Sequence, residues 1–323
     1  MPQQIRAVVV DPSVPGRLAI REVALRDPDR DEVGVKVTAI SLNRGETRRA
    51  LQVAEAGWRP GWDFAGIVES AAADGSGPEP GARVVGILPS GAWAERVNCR
   101  SHALAILPEA VSYAQAATLP VAGLTALHAL RQGGLLLGRK VLVDGASGGV
   151  GHLACQLAAA AGAFVWGHVR RDRAAVAEWC GDRVVVGREL AAAKPHGPFW
   201  LILDSVGGSA VGAALGMLQP NGTCVVFGVS EIEHRNHRQP GILRNRRNAA
   251  LWLDPVPRAD ERRACRHRLA FVGGADRRRQ IAAADRGRDP MGRDRHNRAT
   301  ADRPRLHRQG GVAHLSRSPV VAV

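Results

Sequence analysis

Apolar and polar positions change rhythm three times along this chain. Up to about Cys99 the apolar residues come in short runs: "IRAVVV", "LAIREVAL", "EVGVKVTAI", "FAGIVESAA", "ARVVGIL" and "AWAERVNC". Gly, Pro and Asp turns separate them, which is the pattern of short strands in an all-β, barrel-like module. Near Ser112 the character changes, and the Ala/Leu-rich stretch "SYAQAATLPVAGLTALHAL" reads as helical. From Lys140 onward strands and helices alternate. "KVLVDGAS", "FVWGHV", "RVVVG", "WLILDSVGG" and "TCVVFGVS" read as buried strands. Between them "GGVGHLACQLAAAAGA", "RDRAAVAEWCG" and "SAVGAALGMLQPNG" read as helices, the last stopped by Pro-Asn-Gly. In the first of these, Val150, Leu153, Ala154, Leu157 and Ala158 share one face. This alternation calls for a parallel sheet with helices on both faces. After Ser230 it ends, leaving one Ala-rich scrap, "QIAAAD", and two aromatics, Trp252 and Phe271.

The charge follows the same division. The net charge of +14 suggests a polycation, but 22 Arg, no Lys and 10 acidic residues stand after Ser230, a net of +12. The remaining 22 basic and 20 acidic residues leave the first 230 positions near neutral. The predicted organisation is therefore a β-barrel domain over residues 1–115, a doubly wound α/β domain over 116–230, and an Arg-rich, poorly structured segment over 231–323. Basic runs are a nucleic-acid signal. Here no stacking aromatics or RNA motif accompany them, so the segment predicts no specific nucleic-acid partner. Cys99, Cys155, Cys180, Cys224 and Cys265 show no metal-ligand spacing. Scattered single thiols fit a reducing compartment. No apolar run approaches the ~18 residues of a membrane span, and the first residues lack a signal-peptide core. A cytoplasmic protein is expected.

The strongest chemical signal is Ala146-Ser147-Gly148-Gly149-Val150-Gly151. It is a G-x-G-x-x-G pattern with Ala first, between an apolar strand and a helix. The small first residue permits the tight turn, Gly148 lets the backbone approach a pyrophosphate, and Gly151 lets helix and strand pack closely. The free N–H groups of the helix start, with the helix dipole, then face the phosphates. The plainer alternative is a tight turn without a ligand, but strand and helix stand in the order a dinucleotide site needs. The next strand runs into Arg170-Arg171-Asp172-Arg173. NAD sites place a carboxylate there and NADP sites a cation. Two arginines suited to phosphate favour NADPH over NADH, while the neighbouring Asp172 keeps NADH open.

Together these residues resemble the zinc-independent medium-chain dehydrogenases/reductases of the quinone oxidoreductase (zeta-crystallin-like) type. "SLNRGE" (41–46), "PGWDFAGIVE" (60–69), "GARVVG" (81–86), "GAWAE" (91–95), "AATLPVAGLTALHAL" (116–130), "GASGGVG" (145–151) and "DSVGG" (204–208) carry the likeness, which ends near residue 230. The resemblance implies a GroES-like catalytic domain, a Rossmann domain, and hydride transfer from NADPH to a quinone or activated alkene. It also implies a homodimer. Zinc-dependent relatives place metal ligands where this chain has "LNRGE" and "GWDFAG", with Trp62 at a ligand position, so no zinc is expected. Asn43 matches the family's cleft Asn, and Glu46 its neighbouring acid. Asn43 would donate to a substrate carbonyl oxygen that gains negative charge, although a turn role explains it equally well. Thr125 falls where the family packs against the nicotinamide. Gly228 and Val229 end the fifth strand, at the edge where open α/β sheets bind ligands. Asp63 could line the cleft or serve as a structural turn acid, and the second reading is preferred. His128, His152 and His168 form no recognisable group.

After Ser230 the family's closing elements are not visible. Reading the codons of residues 288–311 one nucleotide later permits "ETPWGEIATIARQLIDRGFTGKV", and Met291-Gly292 forces the Trp in it. This marks residues from about 231–235 as an out-of-frame translation, a reading that the coding DNA decides. Such a segment buries too little apolar surface to offset its ordering entropy. It predicts that the fifth strand is left as an exposed edge and that activity is impaired. The alternatives are a remnant that binds NADPH without turnover, or a nucleic-acid binder acting through its basic tail.

Overall fold

Short, alternating apolar runs give the N-terminal half its strands. The computed structural model describes residues 2–171, 174–228 and 249–252. β1 (Gln4–Val10) and β2 (Leu18–Ala24) pair antiparallel. A five-stranded antiparallel sheet follows, formed by β3 (Glu32–Ile40), β4 (Asp63–Ser70), β5 (Arg83–Ile87), β6 (Arg96–Arg100) and β7 (Leu104–Ile106). Its order is β6-β3-β4-β5-β7. It curls around Val33, Val35, Phe64, Val68, Val84 and Val97, all buried. This is the GroES-like half-barrel that the sequence predicts. α1 (Arg44–Gln52), "RGETRRALQ", is missing from that prediction because it is polar along nearly its whole length.

The helical stretch after Ser112 is broken rather than continuous. α2 (Tyr113–Ala117) packs Ala116 and Ala117 against the half-barrel. A π-turn over Leu119–Gly123 contains Pro120, and α3 (Leu124–Arg131) then joins the second core through Ala126, Ala129 and Leu130. Pro120 has no N–H to continue a helix from α2. The chain therefore passes from one core to the other within the π-turn.

The second sheet is parallel and buried on both faces. β8 (Lys140–Asp144), β9 (Phe164–Val169), β10 (Val184–Val186), β11 (Phe199–Asp204), β12 (Leu218–Val226) and β13 (Ala249–Trp252) run in the order β10-β9-β8-β11-β12-β13. α4 (Gly149–Ala160) and α5 (Ala174–Cys180) cover one face with α3. α6 (Ser209–Gly216) and a 3-10 segment at Leu190–His196 cover the other. This order, with helices on both faces, is the Rossmann arrangement.

Two expectations are corrected here. Pro220-Asn221-Gly222 does not stop a helix before the fifth strand; it lies inside β12. The register with β11 shifts between Phe199↔Leu218 and Leu201↔Thr223, and Asn221 takes φ 64° at this irregularity. The outer edge of β12 is also not bare, because β13 pairs with it in parallel from Thr223↔Ala249 to Val226↔Trp252. "AALW" is a short apolar run, sufficient to pair with a strand edge although its surroundings are rich in Arg. Residues 229–248, which include Val229, and residues 253–323 lie outside the described residues.

Candidate active site

The Gly-rich turn lies where β8 ends and α4 begins. Gly145 takes φ 71°, and its carbonyl accepts the Gly148 N–H at 2.9 Å. Ser147, Gly148 and Gly149 are exposed, Val150 is half-buried and Gly151 is buried. Gly148 is the N-cap of α4, no side chain caps the helix, and its first turn holds no acidic residue. The first N–H groups of a helix have no partner within it. This end of α4 is thus an uncapped donor cluster suited to a pyrophosphate.

Of the other predicted cofactor residues, Arg170, Arg171 and Gly228 follow strands of the same sheet. Arg170 and Arg171 follow β9 and are exposed. Gly228 follows β12, where an added Cβ would stand 2.7 Å from the Ser205 carbonyl oxygen. The Ser205 hydroxyl in turn donates to the Asp144 carbonyl at 3.0 Å, linking the ends of β11 and β8. Thr125 is half-buried on α3.

Asn43 and Glu46 are brought together, and Asp63 joins them. Asn43 is the N-cap of α1, forming a capping box with Glu46. The Glu46 carboxylate accepts from the Asn43 backbone N–H at 2.8 Å and from Nδ2 at 2.9 Å. The same Nδ2 donates to Asp63 Oδ2 at 2.7 Å, so both amide hydrogens are engaged. Asp63 Oδ1 accepts the Val121 N–H of the π-turn at 3.1 Å. One buried carboxyl group therefore ties the half-barrel to the crossing segment. Glu46 and Asp63 are both fully buried. Burial pushes Asp63 up to about 7 against the Asn43 hydrogen bond, and the nearby Glu46 charge adds to the rise. Burial likewise raises Glu46, opposed by its bonds from Asn43. Asp63 is thus more than a turn acid, though only the fold shows its partners.

One group escaped the sequence reading altogether. Asp144 ends β8, and its neighbours across the sheet in register are His168 on β9 and Asp204 on β11. His168 Nδ1 and Asp144 Oδ1 are 2.7 Å apart, and all three residues are buried. Asp204 Oδ1 accepts the N–H groups of Val206 and Gly207 at 2.7 and 3.0 Å. Burial, with a contribution from Asp144, pushes Asp204 up to about 6. The pairing rests on strand register between residues 24 apart, and no local motif announces it.

The motifs "LNRGE" and "GWDFAG" contain neither Cys nor His. Among the described residues no three His, Cys, Asp or Glu side chains group as a metal site. The exposed glycines and the uncapped α4 fit a dinucleotide.

Comparison with known proteins agrees with this architecture. The pattern described as "Alcohol dehydrogenase GroES-like domain" matches residues 29–127, and that described as "Zinc-binding dehydrogenase" matches 149–253. The second match runs past residue 230 and takes in β13. A mycocerosic acid synthase-like polyketide synthase of Mycobacterium tuberculosis is 31% identical over 255 residues, covering 74% of this chain and 12% of that protein. A chloroplastic quinone-oxidoreductase homolog of Spinacia oleracea is 37% identical over 152 residues, 42% of this chain and 46% of that protein. The chain thus spans a small part of the synthase and under half of the plant protein. A quinone oxidoreductase structure from Pseudomonas syringae superposes with a TM-score of 0.63 at 28% identity, covering 72% of this chain and 76% of that one. With both domain types in order and quinone oxidoreductases among its structural neighbours, the chain belongs to the medium-chain dehydrogenase/reductase family.

Proposed function

We propose that this chain is an NADPH-dependent, zinc-independent reductase acting on a quinone or enone-type acceptor. The observation that carries the reading is the exposed, uncapped start of α4. There Ser147, Gly148 and Gly149 offer a phosphate cradle, with Arg170 and Arg171 at the end of the next strand. The cofactor, when bound, supplies the hydride. Ser147, Gly148, Gly149, Val150 and Gly151 would hold the pyrophosphate, and Arg170 and Arg171 the ribose phosphate that distinguishes NADPH. Thr125, Gly228 and Val229 would border the nicotinamide end.

Asn43 is the proposed donor to the acceptor's carbonyl oxygen. To act so it releases one amide hydrogen from Asp63. That exchange is eased near neutral pH, where Asp63 is partly protonated and is a weaker acceptor than a full carboxylate. Glu46 keeps the other hydrogen and fixes the amide's orientation. The four described cysteines are buried and free, which suits a reducing, cytoplasmic setting. A homodimer is the assembly proposed by analogy with the family.

Steady-state reduction of a simple quinone tests this reading. Arg170→Ala/Arg171→Ala should raise KM for NADPH about 10- to 100-fold and leave that for NADH nearly unchanged. Asn43→Ala should lower kcat/KM for the quinone roughly 100-fold at unchanged NADPH affinity. Equal use of NADH and NADPH by the unmodified chain would overturn the cofactor assignment. NADPH binding without turnover would identify a non-catalytic remnant.

A further inference from the structure

The strands of the parallel sheet start at the end opposite the Gly-rich turn, and that end presents apolar side chains to solvent. Leu135 and Leu137, in the loop from α3 to β8, are 78% and 67% exposed, and Phe164, the first residue of β9, is 50% exposed. Leu136 between them is buried in the core, while Gly134 and Gly138 take φ 64° and 69° and turn the chain sharply on either side. The exposed residues form one patch. The Gly138 N–H donates to the Gly162 carbonyl, and the Phe164 N–H to the Arg139 carbonyl, both at 2.9 Å. A Cβ added at Gly162 would stand 2.6 Å from a methyl carbon of Leu137. The Trp200 indole N–H donates to the Gly133 carbonyl at 2.6 Å and ties the loop to β11. Cations border the patch and lie over aromatic rings. Arg139 is 4.2 Å from the Trp200 ring, Lys140 5.2 Å from that of Trp166 and Arg183 5.8 Å from that of Phe164. Segments 131–140, 162–166, 181–184 and 196–200 meet here, and they hold four Arg or Lys residues against one acid, Asp182.

We infer that this end of the α/β domain docks on the surface of an anionic phospholipid bilayer, with Leu135, Leu137 and Phe164 entering the lipid and Arg139, Lys140 and Arg183 meeting the headgroup phosphates. A contiguous exposed apolar patch marks a contact surface, and its chemistry selects the partner. Nucleic acid would engage the cations and leave the three apolar side chains unused. A bilayer supplies both parts, phosphates at the level of the cations and acyl chains beneath them. Binding to it grows with buried apolar area and with positive charge. The apolar side chains stand on a loop tip and a strand start, which penetrate a fluid surface without a matching groove. The contact is peripheral, since no helix among the described residues is long and apolar enough to cross a membrane. β8 runs from this patch to the Gly-rich turn, so docking leaves the proposed cofactor end facing away from the lipid.

Co-sedimentation of the full chain with lipid vesicles tests the inference. The unmodified chain should bind vesicles of equal parts phosphatidylcholine and phosphatidylglycerol at least about tenfold more tightly than vesicles of phosphatidylcholine alone. The deciding variant is Leu135→Ser/Leu137→Ser/Phe164→Ser, which keeps every charge, including the 22 arginines after Ser230. It should bind the mixed vesicles at least about tenfold more weakly, with its circular dichroism unchanged. The unmodified chain gives a second readout that no substitution can disturb: amide hydrogen exchange across residues 133–140 should slow on the mixed vesicles and not on phosphatidylcholine. Equal vesicle binding by the variant, or exchange across 133–140 that the mixed vesicles leave unchanged, overturns the docking and assigns the binding to the Arg-rich segment. Absence of vesicle binding by the unmodified chain overturns it as well. Self-association in vesicle-free solution that the variant abolishes, without vesicle binding, assigns the patch to a second copy of the chain instead.

Discussion

Gly151→Ala should destabilise the protein by roughly 1–3 kcal/mol and weaken binding of the proposed NADPH cofactor at least tenfold. An added Cβ at this position would lie 2.2 Å from the Gly145 carbonyl oxygen and 2.8 Å from the Ala146 Cα. Both are backbone atoms of the turn, so neither can rotate away. Either α4 moves off the sheet or the turn opens, and both outcomes shift the donor cluster at the helix start. Gly149→Ala provides the contrast, since nothing lies within 4 Å of its added Cβ. Alanine there suits a helix better by about 0.5–1 kcal/mol, so stability should hold or rise. The methyl group projects from the exposed turn, and cofactor affinity should still fall. Thermal melts with and without NADPH separate the two. The Gly151 variant should melt several degrees lower without ligand, and the Gly149 variant should lose only the ligand-induced gain. A Gly151 variant with unchanged melting would show that the helix does not depend on this approach.

The legible parts of the fold are those that repeat a local pattern. β1 to β6 alternate or run apolar between Gly, Pro and Asp turns, and β8 to β11 are continuous apolar runs, so composition alone locates them. β7 has only three residues, and α1 carries Arg44, Glu46, Arg48 and Arg49 within nine, so neither presents an apolar face strong enough to read. Pro220-Asn221-Gly222 reads as a stop because those residues favour turns, yet the strand passes through them with a shifted register. β13 is four apolar residues within an Arg-rich stretch, and only the free edge of β12 gives them a place. The candidate site divides in the same way. The Gly-rich turn is local and therefore visible. Asn43 and Glu46 are three apart and readable as a capping box, but the contact with Asp63 spans 20 residues and needs the half-barrel. The Asp204–Asp144–His168 row exists only once three strands are in register.

The buried acids give the last expectation, a fall in stability as pH rises from about 4 to about 7. Asp63 is held near 7 in the folded chain against 3.8 as a free side chain. Within that window the folded protein retains a proton that the unfolded chain has released. Stability therefore declines with rising pH, because the slope follows protons bound unfolded minus folded. Below about 4 both states are protonated and the contribution is complete; above about 7 it is gone. Asp204, held near 6, acts in the same direction over a narrower range. Asp11, Glu32, Asp74 and Glu95 are shifted downward, so their opposite contributions fall at lower pH, while Glu46, also raised by burial, acts in the same direction as Asp63 and Asp204. A full proton difference is worth about 1.4 kcal/mol per pH unit, so Asp63 alone accounts for a change of several kcal/mol. Urea midpoints measured from pH 4.5 to 8 should therefore decrease, and Asp63→Asn should flatten most of that decrease. The variant keeps an oxygen for the Val121 N–H but turns an amide toward Asn43 Nδ2, donor against donor. It should therefore start less stable at pH 4.5 while losing less by pH 8. An unchanged slope in Asp63→Asn would show that the proton is held elsewhere, with Glu46, also raised by burial, the nearest carboxyl group.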